Sequence, residues 1–304
     1  MPDARLGERL DAGLSKMLGL SRTQVGTLID AGKVWVNGQP ASKSQKLEIH
    51  HIVEVDLEEQ PAEVRVEAED VEDLKIVFQD EHIIVVDKPA GVVSHPSQGF
   101  IGPSVPGVLL ARGIQLSTSG ASERQGIVQR LDVGTSGLMV LAKGERAYSV
   151  LKQAFRDRTV KKTYHALAQG HPDPASGTID TPIARSMRHD YKFTISHDGK
   201  PAVTHYRCIE ILPTAALLEI GLETGRTHQI RVHFAHFNHP LVGDPLYGSD
   251  PILAQKLGLE RQWLHAVKLG FNHPISGDWV SFESDYPADL KNALSQLRDV
   301  NFRL

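Results

Sequence analysis

The chain has 304 residues, 40% of them hydrophobic and 23% charged, with a net charge of −4, which is long enough for one large core and a second small one. Its single cysteine, Cys208, has nothing to pair with inside the chain, so an internal disulfide is excluded and a reducing compartment expected. No apolar run reaches the 18 or so residues that span a bilayer, and MPDARLGERL has no apolar core of a secretion signal, so the expectation is a cytoplasmic protein without a membrane partner.

The weak negative total hides an uneven distribution. Residues 124–165 carry nine Lys/Arg against three acids, and residues 1–47 seven against four. Acids gather between them, at Glu63, Glu67, Glu69, Asp70, Glu72 and Asp73. Two separated basic stretches suit a polyanionic partner better than the sum does.

Residues 1–60 read as a small module. Arg5 to Asp11 open a helical pattern, with Leu6, Leu10, Leu14, Met17 and Leu18 on one face. Ser21 can cap a second helix that Gly32 ends. Val34-Trp35-Val36 reads as a strand, Asn37-Gly38 as a tight hairpin turn, and Ile52–Asp56 as a closing strand. Two helices followed by V-x-V-N-G resemble the S4 RNA-binding module. That resemblance implies Arg5, Arg22 and Lys33 as cationic contacts to RNA. The module usually has Gly-Asp before its last strand, where this chain has His50-His51.

Residues 61–75 read as an acidic linker. Residues 76–304 are strand-rich with scattered helices and no regular βαβ alternation, which gives an α+β class. KIVFQDEHIIVVDKPAG predicts two strands around Gln79-Asp80-Glu81. The Gly, Ser and Pro of residues 97–125 predict a long loop or partly mobile lobe. GERAYSVLKQAFRDR predicts a helix with Ala147, Val150, Leu151 and Ala154 buried and Lys152 and Arg156 exposed. TVKKTYHALAQG predicts a strand closed by Gly170 and Pro172.

The chemistry concentrates in RLDVGTSGLMVLAK, residues 130–143, where Arg130 and Asp132 stand against an apolar run and the turn Gly134-Thr135-Ser136-Gly137 follows. A carboxylate beside such a turn can project into a cleft. To act as a nucleophile it must stay ionised, which burial opposes and a nearby guanidinium supports. In LETGRTHQIRVHFAHFNHP, Thr227 can cap a helix running to about Asn238, with Ile230, His233, Phe234 and Phe237 inward and Arg231 in its first turns. An inward arginine there needs an anion. Asp244 in VGDPLYG reads as a turn or support residue. The spacing of His228, His233, His236 and His239 is not a standard zinc signature, because three-residue steps rotate the ligands off one face, and no metal is expected.

Taken together, VVDKPAGVVSHPS, RLDVGTSGLMVLAK, KKTYHALAQG, ETGRTHQIRVH, HPLVGDPLYG and LHAVKLGFNHP, in this order, resemble the motifs of the RluA/RluD-type RNA pseudouridine synthases. The resemblance covers roughly residues 76–290, with an S4 module in front. It implies a mixed, mainly antiparallel sheet with flanking helices, and isomerisation of uridine to pseudouridine in RNA without a cofactor. Large-subunit ribosomal RNA is the most direct expectation, with transfer RNA as a related possibility. By the same resemblance Asp132 is the catalytic carboxylate, Tyr164 the active-site tyrosine and Arg231 the ion-pair partner of Asp132. Arg130 fills the space left by the flipped base, and Thr135, Arg226, His228 and Gln229 contact the RNA. One position departs from the pattern. The histidine that usually precedes Arg-Leu-Asp is Gln129, which keeps hydrogen-bonding capacity but carries no proton at neutral pH. A non-catalytic RNA-binding or ribosome-assembly factor on the same fold, and a hydrolase, are the readings from other classes. A monomer is expected.

Overall fold

In the computed structural model, residues 7–57, 66–96, 100–189 and 191–299 are described. The chain divides into two compact units, residues 1–63 and 64–304.

The first unit follows the expected order: α1 (Leu10–Leu18), α2 (Arg22–Asp30), β1 (Val34–Val36), β2 (Gln39–Pro40) and β3 (Val53–Val55), with β1 between the other two strands. Ser21 and Gln24 form a reciprocal capping box that fixes the start of α2. Asn37 and Gly38 both take the left-handed conformation that a two-residue hairpin of this twist requires. Leu10, Leu14, Val25, Ile29, Val34, Val36 and Leu47 close the core. α1 starts later than its apolar spacing suggests. Gly7 is left-handed, and Arg9 is extended and bridges to Lys46, so the helix can begin only at Leu10. The His50-His51 substitution is accommodated locally: the Glu48 N–H donates to His51 Nδ1 at 3.1 Å, and the His51 N–H returns to the Glu48 carbonyl.

The second unit is built on a nine-stranded sheet. Its strands are β4 (Lys75–Gln79), β5 (Ile83–Lys88), β6 (Ser136–Ala142), β7 (Lys161–Gln169), β8 (Ser176–Asp180), β11 (Val203–Ile211), β12 (Ala215–Leu222), β13 (Leu264–Asn272) and β14 (Trp279–Glu283). Along the sheet the order is β4-β5-β6-β13-β7-β12-β11-β8, with β14 on β13. Every pairing is antiparallel except β6 with β13. The mixed, mainly antiparallel expectation holds. A separate hairpin joins β9 (Ile183–Arg185) to β10 (Phe193–Ile195).

Both faces of the central strands are covered, which explains why β6 reads as a continuous apolar run. Met139 and Leu141 face α3 (Val105–Ala111), while Leu138, Val140 and Ala142 face α4 (Glu145–Arg156). On β7, Tyr164, Ala166 and Ala168 share the α3 side with Ile230 and Phe234 of α5 (Gln229–His236). Leu167 points the other way, onto α7 (Ala288–Arg298). Each such buried aliphatic side chain is worth about 1.5–3 kcal/mol over exposure. Where β6 meets β13 in parallel, Gly137 has φ +115°, and a Cβ there would come within 2.4 Å of the Ala266 carbonyl oxygen. Only glycine fits.

Three local expectations fail for tertiary reasons. The Gly/Ser/Pro stretch contains α3, capped by Ser104 Oγ, and Glu145 pins residues 117–119 through Ser117 Oγ, the Thr118 N–H and the Ser119 hydroxyl. On α4, Val150 is 40% exposed and Tyr148 takes its place on the buried face. Finally, α5 is capped by His228 in the left-handed conformation, not by the Thr227 hydroxyl, and it ends at His236, leaving Phe237 48% exposed.

Candidate active site

The turn before β6 and the start of α5 meet beside the central strands β6, β13 and β7. Between them opens a cleft of about 460 Å³, counted with its open mouth. Asp132, Tyr164, Arg231, Arg130 and His228 all line it. The topology explains the meeting. β6 pairs with β13 at Ser136–His265, and β13 pairs with β7 at Ala266–Tyr164, so the Asp132 turn lies one strand away from the tyrosine.

Arg231 is 4% exposed and is held by two acids. Its Nε and Nη2 donate to the two carboxylate oxygens of Asp244 at 2.7 and 2.9 Å, and its Nη1 donates to Asp132 Oδ2 at 3.4 Å. Burial opposes the guanidinium charge, but Asp244 and then Asp132 outweigh it and hold the pKa above its ordinary value. The expected Asp132–Arg231 pair is therefore present, but it is the looser half of a three-residue array. Asp244 also accepts the N–H groups of Leu246 and Tyr247, so its VGDPLYG loop is a rigid cradle.

His228 faces the same Asp132 oxygen as Arg231. Its Nδ1 is 2.8 Å from the Tyr247 hydroxyl, which itself accepts the Phe193 N–H. The Tyr247 proton is thus available to Nδ1, which leaves the Nε2 proton facing Asp132 Oδ2, 3.9 Å away. Burial lowers the His228 pKa despite the nearby carboxylate, so the ring is neutral at pH 7.

Tyr164 is 8% exposed. Burial, and secondarily the charge of Asp132, raise its pKa well above the ordinary phenol value, so it carries its proton throughout the neutral range. Its hydroxyl makes no hydrogen bond to the described residues. Arg130 is exposed at the mouth. Thr135 and Gln229 line the cleft but are 2% and 3% exposed, with their polar atoms engaged. Gln262 Nε2 donates to Thr135 Oγ1. Gln229 accepts from the Arg226 N–H and donates to the Val203 carbonyl, bracing the Glu223–Thr227 loop. Arg226 Nε donates to the Pro201 carbonyl.

In the first unit, Arg22 is ion-paired to Asp11 at 3.1 Å and otherwise exposed, Lys33 lies just before β1, and Arg5 falls outside the described residues. Gln129 Nε2 donates to the Leu138 carbonyl at 3.2 Å, a brace between the segment leading to Asp132 and β6. Two other histidines of the 228–239 series serve the fold, His233 against Thr204 Oγ1 and the Thr181 carbonyl and His239 against the Gln169 carbonyl, while His236 is exposed.

One residue escaped sequence reasoning. Lys88 has no exposed surface, and its Nζ donates to the carbonyls of Pro89, Val92 and Val133. It ties the end of β5 to the residue after Asp132. Burial pushes its pKa down to about 7, against the pull of the Asp132 charge. The available signal was a lone lysine closing the apolar run of β5.

A family model described as RNA pseudouridylate synthase matches residues 82–236, and the S4 domain model matches residues 8–53. The chain is 54% identical over 298 residues to an uncharacterised RNA pseudouridine synthase of Mycobacterium bovis, covering 98% of this chain and 97% of the relative. It is 42% identical over 305 residues to the ribosomal large subunit pseudouridine synthase D of Zymomonas mobilis, covering 96% and 94%. Among solved structures, the human RNA pseudouridylate synthase domain containing 4 superposes with a TM-score of 0.58 at 26% identity, covering 73% of this chain and 92% of that one.

Proposed function

Because this chain belongs to the RNA pseudouridylate synthase family and carries an S4 domain, we propose that it converts specific uridines of large-subunit ribosomal RNA to pseudouridine, with Asp132 as the catalytic carboxylate. The observation that carries the reading is Asp132 itself: one carboxylate in a cleft, backed by a buried guanidinium at 3.4 Å and sharing the cleft with a protonated tyrosine. Ribosomal RNA is preferred because relatives near 40% identity over almost the whole chain bear that name.

The reaction breaks the N1–C1′ bond, turns the uracil, forms a C5–C1′ bond and releases the C5 proton. Asp132 assists bond cleavage, by attack on the nucleoside or by helping to form a glycal. Arg231 orients it through the one nitrogen that Asp244 leaves free, because its other two are locked on Asp244. Tyr164 forms the face against which the uracil turns, and its hydroxyl is a proton donor or relay. Arg130, exposed at the mouth, occupies the space left by the flipped nucleotide, where a planar guanidinium can stack and hydrogen-bond at once. His228 helps to orient Asp132 through the oxygen that Arg231 also contacts, and Arg226 meets the RNA at the rim. Thr135 and Gln229 act through the loops they brace. Residues 1–60, joined by 61–75 to a catalytic domain of 76–304, bring a second RNA contact in which Arg22, Lys33 and Arg5 take part. The protein acts in the cytoplasm as a monomer without a cofactor. No described helix is long and apolar enough to cross a membrane.

The test is tritium release from C5-tritiated uridine in RNA from cells lacking this gene, with large-subunit ribosomal RNA and transfer RNA assayed separately. The expected result is release from ribosomal RNA by the wild type and none by Asp132→Asn. Equal release by both proteins overturns the role of Asp132. Release from transfer RNA alone overturns the substrate. No release from either pool, with RNA binding intact, favours a binding factor on the same fold.

A further inference from the structure

The cleft does not end at Tyr164. It continues into a wider groove of about 1300 Å³, counted with its open mouth, and the two share Arg130, Tyr164, Leu222, Gly225 and Arg226. The groove is lined by Arg124, Arg130, Arg156, Arg158, Lys162 and Arg226. Among its described lining residues Glu223 is the single acid, and Arg158 Nη1 and His205 Nε2 already occupy it at 3.0 and 2.8 Å.

Lys162 is the informative member. It precedes Tyr164 by two residues on β7, so both side chains leave the same face of the strand, about 7 Å apart. One nucleotide bridges that separation. The lysine is partly buried, its Nζ lies 5.9 Å from the centroid of the Phe155 ring, and no described carboxylate pairs with it. Burial and then Arg158 push its pKa down to about 8. Arg158 sits in the α4–β7 turn with φ +59°, a left-handed conformation unfavourable for a non-glycine residue. Two cations gathered against an aromatic wall, one of them without a counter-ion, form a site for an anion.

We infer that Lys162 receives a backbone phosphate of the RNA nucleotide next to the target uridine, and that the groove beyond Tyr164 holds the strand on that side. The inference rests on the reading of the cleft as the entry point of the flipped base. It assigns the groove a polarity: cleft for the base, Lys162 for the first phosphate, and Arg156, Arg158 and Arg124 for the strand beyond.

The test compares full-length wild type, Lys162→Gln and Lys162→Arg for binding to in vitro transcribed large-subunit ribosomal RNA, by filter retention across a salt series at pH 7. Loss of one phosphate contact reduces the slope of log K against log salt by about 0.7–0.9 in Lys162→Gln, and Lys162→Arg restores it. A pH series adds a readout that a packing defect does not produce: wild-type affinity falls between pH 7 and 9 as the lysine loses its proton, and Lys162→Arg removes that fall. Of the other groups facing Lys162, His95 titrates below this window, Tyr164 above it and Glu223 below it, and the neighbouring arginines are common to all three proteins. Lys88 titrates near 7 but is common to all three proteins. An unchanged slope in folded Lys162→Gln, or a pH dependence retained in Lys162→Arg, overturns the phosphate site. Tritium release by the wild type on the same RNA separates the two readings. Release with an unchanged Lys162→Gln slope removes the site and keeps the synthase reading. A lowered slope without release keeps the site and removes that reading for this RNA.

Discussion

Asp244 grips Arg231 through two parallel hydrogen bonds of 2.7 and 2.9 Å with no exposed surface on the carboxylate side chain, and the cleft receives only the third nitrogen of that guanidinium. The arginine is thus oriented by a residue that does not line the cleft. Removing one partner of such a buried pair costs about 3–5 kcal/mol. For a unit of this size that is a fall in Tm of roughly 6–15 °C. Asp244→Asn is expected to show that fall by calorimetry, together with at least a tenfold loss of single-turnover rate. A variant that keeps its Tm but loses turnover would mean that the pair serves chemistry alone.

Arg130 presents the opposite case. It is exposed, so Arg130→Ala should leave stability within about 0.5 kcal/mol. Holding a base out of its stack otherwise costs a few kcal/mol. The single-turnover rate should therefore drop by about tenfold or more, with Arg130→Lys recovering only part of it. A wild-type rate in Arg130→Ala would place the gap-filling role elsewhere.

Gln129 tests what its position does. Its hydrogen bond to the Leu138 carbonyl is a brace that a histidine can also make. Gln129→His is expected to keep the turnover within about twofold, with an unaltered pH–rate profile between pH 6 and 8. Gln129→Leu should lose about 1 kcal/mol of stability. A new inflection in the Gln129→His profile would show that this position titrates in the reaction.

Beneath the Asp132 turn runs a buried chain. Ser284 donates to Asp87 at 2.6 Å, so its oxygen accepts from His265 Nε2 and leaves Nδ1 for the Ser136 hydroxyl. Burial, then the charge of Arg261, push His265 down to about 4. The unfolded chain takes up this proton first, near pH 6.5. The contribution is therefore complete above pH 6.5 and is lost as pH falls towards 4. A shift of this size amounts to about 3 kcal/mol. Asp87, whose pKa burial raises, works in the opposite sense at the acid end. Urea unfolding at pH 4.5 and 7 should show a stability difference that shrinks by about 2–3 kcal/mol in His265→Gln. An equal difference in both proteins would mean that His265 is already charged in the folded state.

The linear sequence carried a great deal of this. Ordered motifs identified the synthase fold, the S4 module and the Asp132 turn. The Ser21 cap and the Asn-Gly hairpin were legible because both depend only on residues three or fewer apart. Amphipathic spacing located α4 and α5 and most of their inward members, Ala147, Leu151, Ile230, His233 and Phe234 among them, but not all. Whether Val150 or Phe237 is buried depends on what the rest of the chain places against the helix.

Only the tertiary structure decided the rest. Lys88 and Val133 lie 45 residues apart in the chain; Arg231 and Asp132, 99 apart, were paired beforehand only through the family resemblance. No local pattern reports such a pairing, because side chains distant in sequence become neighbours only when the sheet brings their strands together. Asp244 could be read as a support residue, but not as the residue that sets how much of Arg231 is left for the carboxylate. The chain determined which chemical groups are available, since motif and propensity are local properties. The fold determined which of them share a counter-ion, because a buried charge takes the partners that long-range packing supplies.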